Sequence, residues 1–451
     1  MVDSLSESNP LSKFDFTAIN KKRRNAFFVI SLGELLDGYD LLVIGGALIV
    51  LTPLFKLSAL VTGTLGAITF LGAFLGMVIL GNVSDKLGRK QIFLIDLLAF
   101  AGLALVSALV SNVYELILVR FFIGVAIGAD VPTSMAYLSE ISPKETRLRW
   151  GSVLPNIMWA VGALLASLSW YFLIPIGATA WRWTFGIGAV IAVVVWISRQ
   201  YVPESPRWLM SHGRKEEAYK VLESFGMSEA MLPEKKSTPV EPKASTRKYT
   251  ELLTGKYAPV TFAVVLLVIF NGIAGPISTV LSSYLLHFIG LVTVRGALLY
   301  TVYVWLSAVV GLIIGFVLID RFSRRKLGIF AGIVQGIFAI VIALFGKGDP
   351  LILLVSIVGF GLVNWAIAIP LMWLWGTELF PTELRASGQG ITNGVNRLAI
   401  ASSSFIVVGG LTLIGELPLM LIFALLLFAF SAVIAAFKQF DTKGKSLEEI
   451  T

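Results

Sequence analysis

The chain has no cysteine and only two histidines, His212 and His287, among its 451 residues. Disulfides and thiolate metal sites are thereby excluded, and neither histidine has a ligand partner at metal spacing. Charge is scarce as well. Only 14% of residues are Asp, Glu, Lys or Arg, against 56% hydrophobic, and a soluble chain of this size needs far more polar surface to cover itself. There is no GxxxxGK[ST] phosphate loop, which argues against ATP-driven chemistry. There is no nucleophile–base arrangement and no hydrolase elbow, so no enzyme is expected. A cleavable secretory signal is missing too: the first 24 residues are polar and end in Lys21, Lys22, Arg23 and Arg24, directly before the first apolar run.

Long apolar runs occupy most of what remains. About 20 apolar residues cross a bilayer as a helix. The runs read as twelve spans, at 25–52, 59–80, 92–111, 114–139, 151–175 and 183–200, then at 258–288, 296–319, 328–346, 350–379, 388–413 and 417–437. The expected fold class is an all-α integral membrane protein. The only long polar stretch, 201–254, carries an amphipathic run from Gly213 to Phe225 and then a Pro-, Lys- and Ser-rich segment. It reads as a surface helix and a loose linker. The expected organisation is a tail (1–24), a six-helix bundle (25–200), this central loop (201–254), a second six-helix bundle (255–437) and a second tail (438–451).

The formal net charge is +8, but the basic residues fall in short loops between spans, where they set orientation, so no nucleic-acid partner is expected. Lys86, Arg89, Lys90, Lys144, Arg147, Arg149, the central loop, Arg321, Arg324, Arg325, Lys326, Arg385, Lys438, Lys443 and Lys445 fall on one side. The other side receives little beyond Lys56, Arg182, Arg295 and Lys347. The positive-inside rule makes the first side cytoplasmic, with both termini inside. A multi-pass protein of the plasma membrane is expected.

An internal repeat supports two halves. Ser139-Glu140-Ile141-Ser142-Pro143-Lys144-Glu145-Thr146-Arg147 follows the fourth span, and Thr377-Glu378-Leu379-Phe380-Pro381-Thr382-Glu383-Leu384-Arg385 follows the tenth. Glu, Pro, Glu and Arg recur at identical spacing. Gly81 to Lys90 (GNVSDKLGRK) and Gly315 to Lys326 (GFVLIDRFSRRK) form a second pair at nearly the same offset. Duplication of a six-span unit suits alternating access, in which one half rocks against the other around a central site.

These motifs resemble those of the major facilitator superfamily, and within it the sugar-porter-like and general-substrate group, over nearly the whole chain. Gly81 to Lys90 is similar to the superfamily's cytoplasmic loop signature. Pro203-Glu204-Ser205-Pro206-Arg207-Trp208-Leu209 resembles the sugar-porter PESPRWL signature, and Asp441 to Ile450 (DTKGKSLEEI) that group's tail. Arg120, Gly124 and Gly128 resemble its fourth-span RxxxGxxxG pattern. The resemblance implies twelve transmembrane helices in two pseudo-symmetric bundles. Departures bear on the solute. Phe270-Asn271-Gly272-Ile273-Ala274-Gly275-Pro276 has no glutamine where sugar porters carry a pair, and the fifth span, where a sugar-binding glutamine is usual, offers Pro155-Asn156-Ile157-Met158-Trp159 instead. The tenth-span GPGPIPW pattern is absent. Glu378 to Gly388 (ELFPTELRASG) looks instead like relatives that move organic ions, aromatic acids or phosphate. Leu36-Asp37-Gly38-Tyr39-Asp40 resembles the DGFD of proton-coupled aromatic-acid symporters, and Ala129-Asp130-Val131-Pro132 the GDYP of phosphate symporters.

An ionisable residue inside a span is costly and marks a candidate site. Glu34, Asp37, Asp40, Asp96, Arg120, Asp130 and Arg397 qualify. Asp37 and Asp40 sit three apart on nearly one helix face, where two carboxylates cannot both ionise cheaply, so one is expected to exchange a proton. The alternative is an Asp40–Arg120 pair that stays charged, which the resemblance favours; the two are compatible if protonation releases the arginine. Asp130 is either a third carrier or a cap or kink before Pro132. No role is assigned to Glu34 or Asp96. Arg397 has no acidic neighbour in its own span and suits a carboxylate or phosphate; the alternative is a pair with an aspartate of the first half. Asn393, one turn earlier, adds an amide. Asn156, Asn271 and Trp365 fall where related transporters touch solute. Asp85, Arg89, Glu140, Arg147 and Arg149, with their repeats Asp320, Arg324, Glu378 and Arg385, are read as a breakable latch on the inner side. The expected activity is therefore proton-coupled symport of a small organic solute, an anion rather than a neutral sugar, by a monomer in the lipid bilayer with no cofactor beyond the proton gradient. A sugar porter and a non-transporting membrane sensor are the rivals.

Overall fold

Several spans begin where a polar side chain closes the first helical turn, because the first backbone N–H groups of a helix lack partners and lipid offers none. Asn20 Oδ1 accepts from Arg23 N at 2.8 Å, Asn112 Oδ1 from Glu115 N at 2.9 Å, Thr293 Oγ1 from Gly296 N at 3.1 Å and Asp349 Oδ1 from Leu351 N at 2.7 Å. The computed structural model describes residues 10–143, 146, 149–227, 250–279, 282–289, 293–346, 348–380 and 385–443.

Spans 1 to 6 are Lys21–Leu54, Ala59–Leu87, Arg89–Leu109, Val113–Ile141, Leu154–Leu173 and Ala180–Arg199. Spans 8, 9, 11 and 12 are Val294–Arg321, Arg324–Phe345, Arg385–Leu413 and Glu416–Ala436. Spans 7 and 10 are interrupted. Span 7 runs over Ala258–Ala274, tightens at Gly275–Ile277 around Pro276, and resumes at Ser282–Ile289, where a continuous helix over 258–288 was expected. Pro276 has no N–H to donate, and next to Gly275 it weakens the helix at the point where the α-helix gives way to the tighter turn. Span 10 widens into a π turn at Asn364–Ala368 between Pro350–Val363 and Ile369–Glu378. Among the described residues eleven apolar helical stretches are long enough to cross a bilayer, and one of them, Arg149–Arg199, is broken at Gly177 (φ 80°) and supplies spans 5 and 6. Twelve spans result, and no strand occurs among the described residues.

Spans 2 and 4 pack face to face through glycines. A β-carbon at Gly72 would lie 3.1 Å from Gly124 Cα, and one at Gly76 3.0 Å from Gly128 Cα. Without a hydrophobic drive inside lipid, such close approach is what holds helices together. Across the halves, span 2 packs on span 11, span 5 on span 8, and the outer piece of span 7 on span 1. Apolar side chains such as Ile95, Leu98, Leu118 and Leu425 point outward to where lipid would lie.

The basic face, where span 1 starts and span 12 ends, carries more structure than two tails and a loop. Pro10–Phe14 forms a short helix that docks on the central segment. Phe14 is fully buried and stacks on Phe225, Asn20 Nδ2 donates to Ser224 O at 2.9 Å, and Arg207 Nη2 donates to Asp15 Oδ1. Pro206–Ser211 and Lys215–Ser224 are the helices of that segment, the second matching the amphipathic run.

Candidate functional site

Five acidic side chains enter the first half at different depths. Asp40 on span 1 meets Arg120 on span 4: Nη1 donates to Asp40 Oδ1 at 2.7 Å, Nη2 to Asp40 O at 2.8 Å, and Nε to Thr69 Oγ1 at 3.2 Å. Arg120 is fully buried and Asp40 is 3% exposed, so the pair is desolvated and each member needs the other.

Asp130 is the partner of an arginine on another span. Span 4 stays helical through Pro132, and the Asp130 carboxylate takes both terminal nitrogens of Arg199, the last residue of span 6. Arg199 Nη2 also donates to Ile30 O at 2.9 Å and Ser134 Oγ at 3.1 Å. Gly33 makes this possible, since a β-carbon there would collide with Arg199 Nη2 and Asp130 Oδ2. Sequence reasoning missed Arg199. It falls at the very end of the run at 183–200 and was not among the ionisable candidates.

Glu34, Asp37 and Asp96 are buried with no such partner. Their relative exposures are 5%, 2% and 7%, and Glu34 Oε1, Asp37 Oδ2 and Asp96 Oδ2 each lack a donor. Arg397 on span 11 makes no hydrogen bond or ion pair with the described residues, yet the charges acting on it are those of Asp37 and Glu34. Across the halves, a half-buried guanidinium on span 11 thus lies within electrostatic reach of the two span 1 carboxyls.

The remaining sequence candidates sort as follows. Asn271 Nδ2 donates to Asn364 Oδ1 at 2.9 Å, and Asn364 Nδ2 to Ser278 Oγ at 3.3 Å, a chain that ties the broken span 7 to the π turn of span 10. Trp365 belongs to a three-ring cluster across the halves: Trp159 lies 5.3 Å from Trp365 and 5.5 Å from Trp305, and Trp305 lies 5.2 Å from Trp365. The indole N–H groups of Trp305 and Trp365 have no acceptor. Trp305 was not singled out in the sequence, being one more apolar residue of an apolar span. Asn156 is half-buried one turn before Trp159, and Asn393 Nδ2 donates to Gln389 O at 3.1 Å on its own helix.

On the basic face Arg89 Nη2 lies 3.1 Å from Glu140 Oε1, and Arg324 pairs with Glu378 at the repeated position. Glu204 accepts from Arg89 N at 3.2 Å and Lys90 N at 3.1 Å, capping span 3, while Arg207 Nε reaches Glu140 O at 3.0 Å. Arg324 Nη1 also donates to Thr442 Oγ1 at 2.7 Å, and Ser323 Oγ to Asp441 Oδ1 at 3.0 Å. The Arg89–Glu140 and Arg324–Glu378 pairs thus each close within their own half. Arg149, whose guanidinium lies 5.8 Å from the Phe316 ring centroid, reaches the other half. Arg147 and the side chains of Asp85, Asp320 and Arg385 lie outside the described residues.

With this geometry in hand, comparison with known proteins identifies the class. The sugar (and other) transporter family matches residues 26–451, and the chain belongs to it. It is 30% identical to the arabinose-proton symporter of Bacillus subtilis over 441 residues, covering 93% of this chain and 92% of the relative. It is 28% identical to the niacin transporter NiaP of Acinetobacter baylyi over 458 residues, covering 98% of each. The xylose transporter XylE of E. coli, in a partially occluded inward-open structure, superposes with a TM-score of 0.80 at 20% identity, over 95% of this chain and 100% of that one. The fold is that of the major facilitator superfamily, and the protein is a membrane transporter of sugars or other metabolites, not an enzyme.

Proposed function

We propose that this transporter is a proton-coupled symporter that imports a small organic anion by alternating access across the plasma membrane, with its basic face in the cytoplasm. The observation that carries the reading is Arg397: a half-buried cation on span 11, without a bonded partner among the described residues, within electrostatic reach of Asp37 and Glu34. A guanidinium cannot shed its charge, so it attracts an anion, and its planar fork matches a carboxylate. Asp37 takes the proton that enters with the anion, and a loaded site has no net charge to oppose the rocking of the halves. The solute shifts the equilibrium only by its different affinity for the two states. Asn156, Asn271, Asn393 and Trp365 contribute solute contacts, and Asp40 with Arg120 and Asp130 with Arg199 hold the first half in register. The basic-face pairs around Glu140 and Glu378 stiffen each half as it moves.

The niacin relative supports an anion, since niacin is a carboxylic acid; the arabinose-proton relative supports proton coupling. That second relative, with the PESPRWL segment, also favours the rival reading of a sugar symporter. Counterflow of labelled nicotinate and labelled arabinose in proteoliposomes separates the two. Nicotinate exchange that is lost in Arg397→Gln is the expected result. Arabinose exchange that Arg397→Gln leaves intact, with no nicotinate exchange, refutes the anion assignment.

A further inference from the structure

The Arg89–Glu140 and Arg324–Glu378 pairs do not join the halves, but spans 5 and 8, one from each half, meet along a seam. Three side-chain contacts mark it. At the basic face the Arg149 guanidinium, on the turn that leads into span 5, lies 5.8 Å from the centroid of the Phe316 ring on span 8. Midway, the Trp159 ring of span 5 meets the Trp305 ring of span 8 at 5.5 Å. At the opposite face the Arg295 guanidinium of span 8 lies 4.9 Å from the Tyr171 ring of span 5.

The three contacts share one register. From 149 to 159 to 171 on the span 5 side, the partner goes from 316 to 305 to 295 on span 8. Steps of ten and twelve residues on one side thus match steps of eleven and ten on the other, as two antiparallel helices in continuous contact require. At 1.5 Å per residue the seam is roughly 33 Å long, about the thickness of a bilayer core. Its ends are reciprocal. The first half supplies the arginine at the basic face and the ring at the other, and the second half does the reverse.

Ends and middle differ in strength. Arg149 and Arg295 are exposed, and Phe316 and Tyr171 are half-buried. No acidic side chain among the described residues pairs with either arginine, so the ring face is its attraction. An exposed guanidinium over a ring is worth only a few-fold in an equilibrium. Trp159, in contrast, is packed on two rings of the other half, Trp305 and Trp365. When one half rocks on the other about the middle of the seam, the ends travel farthest. Opening at the basic face parts Arg149 from Phe316, and opening at the other face parts Arg295 from Tyr171.

We propose that these two arginine–ring contacts are opposing clasps, Arg149–Phe316 holding the basic face shut and Arg295–Tyr171 the opposite face, with the tryptophan cluster as the bearing between them. Their balance sets which way the unloaded protein faces. Weak contacts suit the task, because each clasp breaks once per cycle. The assignment rests on alternating access in the reading above and holds for an anion or a sugar alike.

The parent has no cysteine, so introduced cysteine pairs are its only spin-label sites. Gln91→Cys with Lys326→Cys spans the halves at the basic face, and Ala178→Cys with Ile414→Cys spans them at the other; all four positions are exposed. Double electron–electron resonance of the labelled full chain in lipid, without solute, reads the populations open at each face. Arg149→Ala should raise the ratio of basic-face-open to opposite-face-open molecules about two- to fivefold, and Arg295→Ala should lower it by about the same factor. Arg149→Lys and Arg295→Lys, which keep a cation over the ring, should stay near the parent. Arg295→Ala/Tyr171→Leu should shift the ratio no further than Arg295→Ala alone, because the two act as a unit. A ratio unmoved in both alanine variants, or moved the same way by both, in a parent whose distances exchange, overturns the clasps and leaves alternating access standing. A larger shift in the double variant overturns the Arg295–Tyr171 pairing. A parent with one fixed distance at each face, unchanged by nicotinate or arabinose, overturns alternating access as well.

Discussion

Gly33→Ala tests the least obvious contact in the first half. In a helix interior alanine is better than glycine by about 1 kcal/mol. At this position the new methyl falls on Arg199 Nη2 and Asp130 Oδ2 and lies 2.9 Å from Arg199 Cζ. The guanidinium cannot retreat, because it is fully buried and already bonded to Ile30 O and Ser134 Oγ. The bidentate pair must therefore open. Breaking a buried pair costs roughly 3–5 kcal/mol, so the net loss is about 2–4 kcal/mol. The assay is thermal unfolding in detergent followed by circular dichroism. It is repeated in an Asp130→Ala/Arg199→Ala background, where the space is vacated and Gly33→Ala should stabilise instead. A Gly33→Ala variant that unfolds at or above the parent midpoint refutes the reasoning, as does an equal loss in the vacated background.

Three further outcomes follow from the same geometry. Gly124→Val places a β-carbon 2.9 Å from Ala73 N and should collapse the folded yield on gel filtration, whereas Gly102→Ala, with open space around it, keeps the parent yield. Arg120→Ala strands Asp40 and should cost roughly 3–5 kcal/mol, and the double variant Asp40→Ala/Arg120→Ala should have a higher unfolding midpoint than Arg120→Ala alone; a lower one contradicts the pairing. On the basic face, the hydrogen bond from Arg214 holds the Glu217 carboxyl below its usual range. Its contribution is thus present at neutral pH and lost as pH falls through that lowered range. Both side chains are exposed and screened, so Glu217→Gln should leave the unfolding midpoint unmoved from neutral to mildly acidic pH, and a shift of several degrees contradicts this.

Much of this was legible before the structure. Apolar run length carries the spans, because lipid tolerates only helices that satisfy their own backbone. The Asp40–Arg120 pair was visible through family resemblance, and the repeat around Glu140 and Glu378 reappears as matched ion pairs. What escaped shares one cause: contacts between residues remote in sequence leave no local pattern. Arg199 reaches Asp130 across 69 positions, and Phe14 and Asp15 dock on Phe225 and Arg207 from a segment read as a tail. Asp130 was poised between carrier and kink because its partner was unknown. The break in span 7 was spelled out by Gly275 and Pro276, but continuous hydropathy hid it.

Proton movement coupled to solute entry tests the central claim most directly. The full chain is reconstituted in vesicles holding a pH-sensitive dye, nicotinate is added outside with no ion gradient, and the response of empty vesicles is subtracted. The lumen should acidify as nicotinate enters, and Asp37→Asn should abolish the acidification while still exchanging labelled nicotinate. Entry of nicotinate with no proton movement in the parent would contradict the account.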